Sequence, residues 1–236
     1  MAISTQAVPV RRAEWLRNWA ALVAILAVFA ATGLACEHLG VLEAKAYFGE
    51  DGAIEIATPI VFVLAAILCV AWRQRTGVRS LVPSLILLLM AWRELDGDRW
   101  FTAQSVISSG YYFENPGVSY GQRIAVGAVV LALGLIILRF LWKARYRILT
   151  AITEFQPYGR SVIAAFTMLA ASLVLDGLGR KVYALFGVHL TDTASALAGI
   201  VEETAELGMA VAFLVALLQL RFDTSENTLP GAFQAA

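Results

Sequence analysis

Charged residues are scarce in this chain of 236 residues, at 15% of the composition, whereas 59% of the residues are hydrophobic. Soluble domains carry about a quarter charged residues and about half apolar ones. The shortage of charge therefore argues against a soluble globular domain. The balance of 18 basic and 18 acidic residues also lacks the basic excess of a nucleic-acid-binding protein. The composition predicts an integral membrane protein.

Cysteine and histidine are scarcer still, with two of each: Cys36, Cys69, His38 and His189. The cysteines fall near opposite ends of the apolar segments around them, which argues against a disulfide. A structural zinc site takes nitrogen and sulfur ligands, so this inventory disfavours one. A carboxylate-held iron site normally pairs Glu with His three residues later, a pattern that the acidic motif at 203–206 lacks.

Six apolar segments are long enough to cross a bilayer as helices, since about 20 residues span its core. We expect the spans at about 16–36, 54–72, 81–100, 121–142, 161–182 and 194–220. The predicted fold is all-α, with one six-helix membrane domain over 1–222 and a disordered cytoplasmic tail over 223–236. The basic segment 143–160 is expected to form a short separate helix on the inner surface.

The charges predict an orientation, because short basic loops stay in the cytoplasm. Twelve of the basic residues fall in the N-terminal segment, in 73–80, in 139–160 and at Arg221, with only four acidic residues on the same side. The opposite side holds fourteen acidic residues and six basic ones. Both ends are therefore predicted to be cytoplasmic. We expect a multi-pass protein of the bacterial cytoplasmic (inner) membrane whose acidic side faces the periplasm.

The third span carries carboxylates close to the membrane. Only the stretch from Leu81 to Trp92 is apolar, which is about 18 Å of helix against a core of about 30 Å. Glu94 and Asp98 follow on one helical face, because residues four apart are neighbours. We therefore expect both carboxylates below the outer membrane surface.

The sixth and second spans carry further carboxylates on the same side. Glu202, Glu203 and Glu206 occupy one narrow face of the sixth span, because each residue turns the helix by about 100°. Asp51 and Glu55 lie together where the second span begins. Several helices thus bring acidic groups to one depth.

Acidic groups at this depth need compensation, because a charge inside a bilayer is costly unless it is paired, hydrated or neutralised. Protonation, a cationic ligand or a metal ion could each provide it. Many oxygen ligands favour Mg²⁺, Ca²⁺ or Mn²⁺ over zinc or iron, so we expect one or two hard divalent cations. The predicted ligands are Glu55, Glu94, Asp98, Glu202, Glu203 and Glu206, with Asp51 and Asp176 next.

Three functions are compatible with such a site. A bound metal could drive hydrolysis or transfer on an envelope or lipid-borne substrate, with Arg93 or Arg99 holding an anionic group. No residue is assigned as catalytic, and whether the protein is an enzyme stays open. The first alternative is a cation or proton-coupled transporter. The second is a membrane subunit that binds an organic cation against aromatic side chains; these are Trp92, Trp100, Phe101, Tyr111, Tyr112 and Tyr120. The bilayer and a small-molecule or lipid-borne substrate are the expected partners.

The predicted orientation can be tested with single cysteines in a chain whose Cys36 and Cys69 are replaced by alanine. We expect His189→Cys to react with a membrane-impermeant maleimide in intact spheroplasts, because this loop is predicted to face the periplasm. Gln74→Cys, in a basic loop, should react only after permeabilisation. Labelling in the reverse order would contradict the orientation, and labelling of both in intact spheroplasts would contradict the span count.

Overall fold

The computed structural model of the protein describes residues 9–49, 52–74, 80–97, 105–106, 109–113 and 117–226. These ranges are helical with short connections and contain no β-strand. In chain order the helices are α1 (Pro9–Leu39), α2 (Val41–Phe48), α3 (Ala53–Trp72), α4 (Val82–Glu94), α5 (Ser109–Phe113), α6 (Tyr120–Thr153), α7 (Pro157–Leu175), α8 (Leu178–Phe186) and α9 (Asp192–Glu226). The all-α prediction is confirmed for this part of the chain.

Five described segments are long and apolar enough to cross a membrane: Asn18–Leu39, Val41–Trp72, Tyr120–Thr153, Pro157–Leu175 and Asp192–Phe222. The length and apolar character of these helices therefore indicate a multi-pass membrane protein. The difference from the predicted six spans lies at 81–100. There α4 has only 13 residues, which is about 20 Å and less than the bilayer core.

The end of α4 explains why it is short. Asp96 adopts a positive φ of 50°, a left-handed conformation that Asp tolerates better than most residues and that stops a helix. A side chain at Gly97 would overlap the ring of Trp92, so the chain folds back closely over the last turn. The expected helical continuation to residue 100 is therefore wrong over 95–97, and residues 98–100 lie outside the described ranges.

The basic segment 143–160 also differs from the expectation of a separate surface helix. α6 continues without a break to Thr153, because no helix-breaking residue occurs before Pro157. Its N-terminus is fixed by a capping box in which the Ser119 hydroxyl accepts the Gln122 N–H and the Gln122 side chain accepts the Ser119 N–H. α7 then follows directly from Pro157 at its N-terminus.

The fifth predicted span, 161–182, breaks near its outward end. α7 stops at Leu175, and Gly177 adopts a left-handed φ of 58° that starts the short helix α8. The Nζ of Lys181 donates to the carbonyl of Leu173 at 2.8 Å, which satisfies a terminal carbonyl of α7. At the C-terminus α9 runs on to Glu226, so the first four residues of the predicted tail are helical; residues 227–236 lie outside the described ranges.

The core forms around α9, which packs against α1, α2, α3, α7 and α8. Alanine dominates the core, and small side chains allow helices to approach closely. The buried cluster consists of Ala21, Ile25, Phe62, Ala65, Ala66, Leu87, Ala91, Ala165, Met209, Ala210 and Ala212. By contrast, the most apolar part of α6 buries no residue in the bundle, so its side chains are left to face lipid.

Close packing at the alanines predicts a strong dependence of stability on their size. Ala65 is fully buried in the core. We expect Ala65→Leu to lower the free energy of unfolding by about 1–3 kcal/mol, because the extra atoms have no space between the helices. Ala128→Leu, at an exposed position of α6, is the control. Thermal unfolding of purified protein should show a lower midpoint for the first variant only, and equal midpoints would contradict the close packing.

Candidate functional site

Three helices place polar side chains at one level of the bundle. Glu94 is 12 residues after the start of α4, which is about 18 Å along the helix. Ser172 is 15 residues after the start of α7, or about 22 Å. Glu206 is 14 residues before Leu220, which lies near the end of the apolar part of α9, or about 21 Å. The three positions agree to within one helical turn, although each is counted along a different helix.

The centre of this level is a pair of carboxyl groups. The side chains of Glu94 and Glu206 are within hydrogen-bonding reach of each other. Only 5% of the Glu94 side chain and 8% of the Glu206 side chain are exposed. A carboxylate has no hydrogen to donate, so a hydrogen bond between two carboxyl groups requires that one of them carry a proton. The two carboxyl groups are therefore buried side by side.

A single guanidinium spans the pair. Nη1 of Arg93 lies 3.8 Å from Oε1 of Glu94, and Nη2 lies 3.8 Å from Oε1 of Glu206. The Arg93 side chain remains 47% exposed, so it reaches the buried carboxyls from the edge of the bundle. Its positive charge offsets one of the two carboxylates.

Two further side chains complete the acidic site, which we define as Glu94, Glu206, Glu203, Arg93 and Ser172. The Ser172 hydroxyl donates to Oε1 of Glu206 at 2.7 Å, a short bond of the kind formed to ionised acceptors. Glu203 is 9% exposed and acts electrostatically on Glu94 as a like charge. Within this group of five, three acids surround one base.

An apolar layer lies below the acidic site. Met209 follows Glu206 by one turn of α9 and is fully buried, as are Phe62 and Ala165 in the same cluster. Beyond this layer the Ser161 hydroxyl donates to Oε1 of Gln219 at 2.6 Å, which is a second polar contact between α7 and α9. The acidic site is thus separated from the far end of the bundle by tightly packed apolar side chains.

On the other side of Glu203 lies a cavity of about 140 Å³. It is bounded by the end of α2, the α7–α8 connection and the first turns of α9. Glu202, Glu203 and Lys45 supply its charged lining, and the rest of the lining consists of Gly49, Leu175, Gly177, Leu178, Gly179, Ser195, Ala198 and Gly199. Glu203 therefore belongs both to the cavity wall and to the acidic site.

The structure brings together some of the predicted metal ligands and separates others. Glu94, Glu203 and Glu206 converge, and Glu202 lies on the cavity wall. Glu55 is half-buried at the start of α3. Asp176 is 56% exposed and lies 4.0 Å from Arg180, its neighbour four residues on. Asp51 and Asp98, together with Arg99, lie outside the described residues.

The described residues do not fit a metal centre. None of their His, Cys, Asp and Glu side chains form a group of three positioned to hold an ion. The Arg93 guanidinium also lies 3.8 Å from both Glu94 and Glu206, and its positive charge would repel a divalent cation shared by them. The prediction of Mg²⁺, Ca²⁺ or Mn²⁺ is therefore not supported by this part of the chain.

The described aromatic residues proposed to surround an organic cation differ in burial: Tyr111 is buried, whereas Trp92 and Tyr120 are exposed. Tyr111 is buried against Tyr112, with ring centroids 5.1 Å apart, and the Tyr112 hydroxyl donates to the Val106 carbonyl at 2.9 Å. Arg123 donates to the Tyr112 carbonyl at 2.7 Å and lies over the Tyr120 ring. Trp92 packs on Gly97. Trp100 and Phe101 lie outside the described ranges.

Sequence reasoning missed Ser172 and Lys45. Ser172 is a lone hydroxyl in an apolar span, and such residues commonly bond to their own helix. Only the position of Ser172 at the same level of the bundle as Glu206 indicates another partner. That level can be worked out only if the first residue of α7 is known. Lys45 lies on α2, a helix of eight residues in the connection between the first two predicted spans, which is too short for a reading based on windows of about 20 residues to detect.

Comparisons with known protein families, with curated proteins and with solved structures find no match to this chain.

Two serines on α7 give a test of the acidic site. We expect Ser172→Ala and Ser161→Ala each to lower the unfolding free energy by about 1–3 kcal/mol, because each leaves a buried acceptor on α9 without its donor. Only Ser172→Ala should change the infrared band of protonated carboxyl groups, since Ser161 contacts an amide. Equal infrared spectra for the two variants would show that Ser172 has no influence on the carboxyl pair.

Proposed function

We propose that this protein binds a cation at a periplasm-facing site in the bacterial cytoplasmic membrane and releases a proton from the Glu94–Glu206 pair when it does so. The observation that carries the proposal is the convergence of these two buried carboxyl groups on the guanidinium of Arg93, 3.8 Å from each. One proton and one guanidinium balance the pair. A cation that arrives beside Glu203 makes the ionisation of the neighbouring pair less costly, so release of the shared proton is favoured.

The proposal includes six membrane crossings, with α4 as the short sixth, and both ends in the cytoplasm. Five crossings would leave the basic N-terminal segment and Arg221 on opposite sides, against the tendency of basic residues to stay inside. The 13 residues of α4 suffice if the polar site at its end opens outward, because the outer part of the bilayer then need not be spanned by apolar helix. The depth of Glu94 supports this arrangement.

The apolar layer favours binding from one side over transport through the bundle. A carboxylate-lined conduit needs polar groups along its length, whereas the described interior below Glu206 is occupied by Met209, Phe62 and the alanines of the core. Transport would require these helices to move apart. Metal-dependent hydrolysis or transfer stays a prediction; the positive charge of Arg93 beside both carboxyls disfavours a divalent cation shared by them.

Proton release on cation binding is the direct test. Methylammonium chloride is added to the purified protein in weakly buffered detergent solution, and an indicator dye follows the pH. We expect about one proton released per protein at saturation. Glu94→Gln and Glu206→Gln should abolish the release, because an amide cannot exchange the proton. Glu43→Gln, at an exposed position of α2, should behave as the wild type.

Infrared spectroscopy and elemental analysis distinguish the alternatives. The protonated-carboxyl band should be present in the unliganded wild type and lost in both site variants. Proton release that survives in Glu94→Gln and Glu206→Gln would contradict the proposed role of the pair. Stoichiometric divalent metal in the wild type, lost in both variants, would instead establish the metal centre predicted from the sequence.

A further inference from the structure

The cavity above the acidic site carries both signs of charge, which restricts what can bind there. One part of its lining is the pair Glu202 and Glu203 on α9, and another is Lys45 on α2. Lys45 is exposed and forms no side-chain hydrogen bond or ion pair with the described residues. The first turn of α8 also contributes Leu178 and Gly179 to the lining, and N–H groups at a helix start have no acceptor within their helix.

We propose that this cavity binds the polar part of a small zwitterion, with a primary ammonium at Glu202 and Glu203 and an anionic group at Lys45 and the start of α8. An ethanolamine phosphate group has this chemistry. The inference rests on the proposed function, because the ammonium is the cation whose charge acts on Glu94 through Glu203. It goes further by identifying the ligand as carrying a negative charge as well.

The uncharged lining favours a primary amine over a quaternary one. A quaternary ammonium is recognised by surrounding aromatic rings, and the described residues around the cavity include none. A primary ammonium donates three hydrogen bonds and suits carboxylate acceptors. The small residues Ser195, Ala198 and Gly199 lie on the α9 face that leads to Glu202, and they leave room beside the carboxylates.

Gly199 allows the cavity to be filled without disturbing its walls. A Cβ placed on Gly199 meets no atom within 4 Å, and the residue lines the cavity. Gly134 of α6 also meets no atom within 4 Å but is remote from the cavity, so it provides a matched control. Both glycines are helical, so Gly199→Leu and Gly134→Leu change the helix backbone in the same way.

The experiment titrates O-phosphoethanolamine into the purified protein by isothermal titration calorimetry. We expect Gly199→Leu to weaken binding by about tenfold or more, because the leucine occupies the cavity, and Gly134→Leu to bind as the wild type. Lys45→Gln should weaken binding of O-phosphoethanolamine by about tenfold but should not weaken methylammonium binding, since only the first ligand carries the anion and Lys45 repels a cation. Unchanged affinity in Gly199→Leu, or an equal effect of Lys45→Gln on both ligands, would overturn the inference.

Two further experiments identify the source of the ligand and distinguish this inference from the proposed function. In nanodiscs, phosphatidylethanolamine should compete with O-phosphoethanolamine and phosphatidylcholine should not if the ligand is a lipid headgroup; absence of competition by either lipid assigns the cavity to a soluble zwitterion. Cavity-dependent binding without proton release would refute the proposed function and leave this inference standing. Proton release by methylammonium without any binding of O-phosphoethanolamine would do the reverse.

Discussion

The convergence of Glu94 and Glu206 on the guanidinium of Arg93 is the constraint on which the interior of this protein depends. Two carboxyl groups in an apolar bundle cannot both stay ionised without strong compensation. Arg93 provides one compensating charge at 3.8 Å from each carboxyl, and the Ser172 hydroxyl stabilises Glu206 at 2.7 Å. Each partner comes from a chain segment whose position is set by the packing of α4, α7 and α9.

The alanine-rich core allows those contacts to form. Helices that meet through Ala65, Ala165 and Ala212 approach closely enough for short side chains such as serine to reach across. The same packing closes the bundle below Glu206. The small apolar residues therefore shape the polar site as much as the acidic residues do, because they close one side of it. The cavity beside Glu203 lies on the side that the apolar layer leaves open.

Sequence patterns predicted the helical class and the convergence of Glu203 and Glu206, because both depend on helical periodicity alone. They overestimated the third span, since Asp96 and Gly97 end α4 through a left-handed residue and a close contact that hydropathy does not report. They also grouped Asp176 with the acidic site. That carboxylate instead faces outward beside Arg180, because Gly177 turns the chain there.

The sequence by itself determined that the chain is a multi-pass membrane protein and that acids on its α9 segment share one face, because hydropathy and a period of 3.6 residues are local properties. Only the tertiary structure decided which charged groups lie next to one another. Arg93, Glu94, Ser172 and Glu206 are brought together by helix packing at matched heights. That arrangement is non-local, because three separate helices must align before any of these atoms meet.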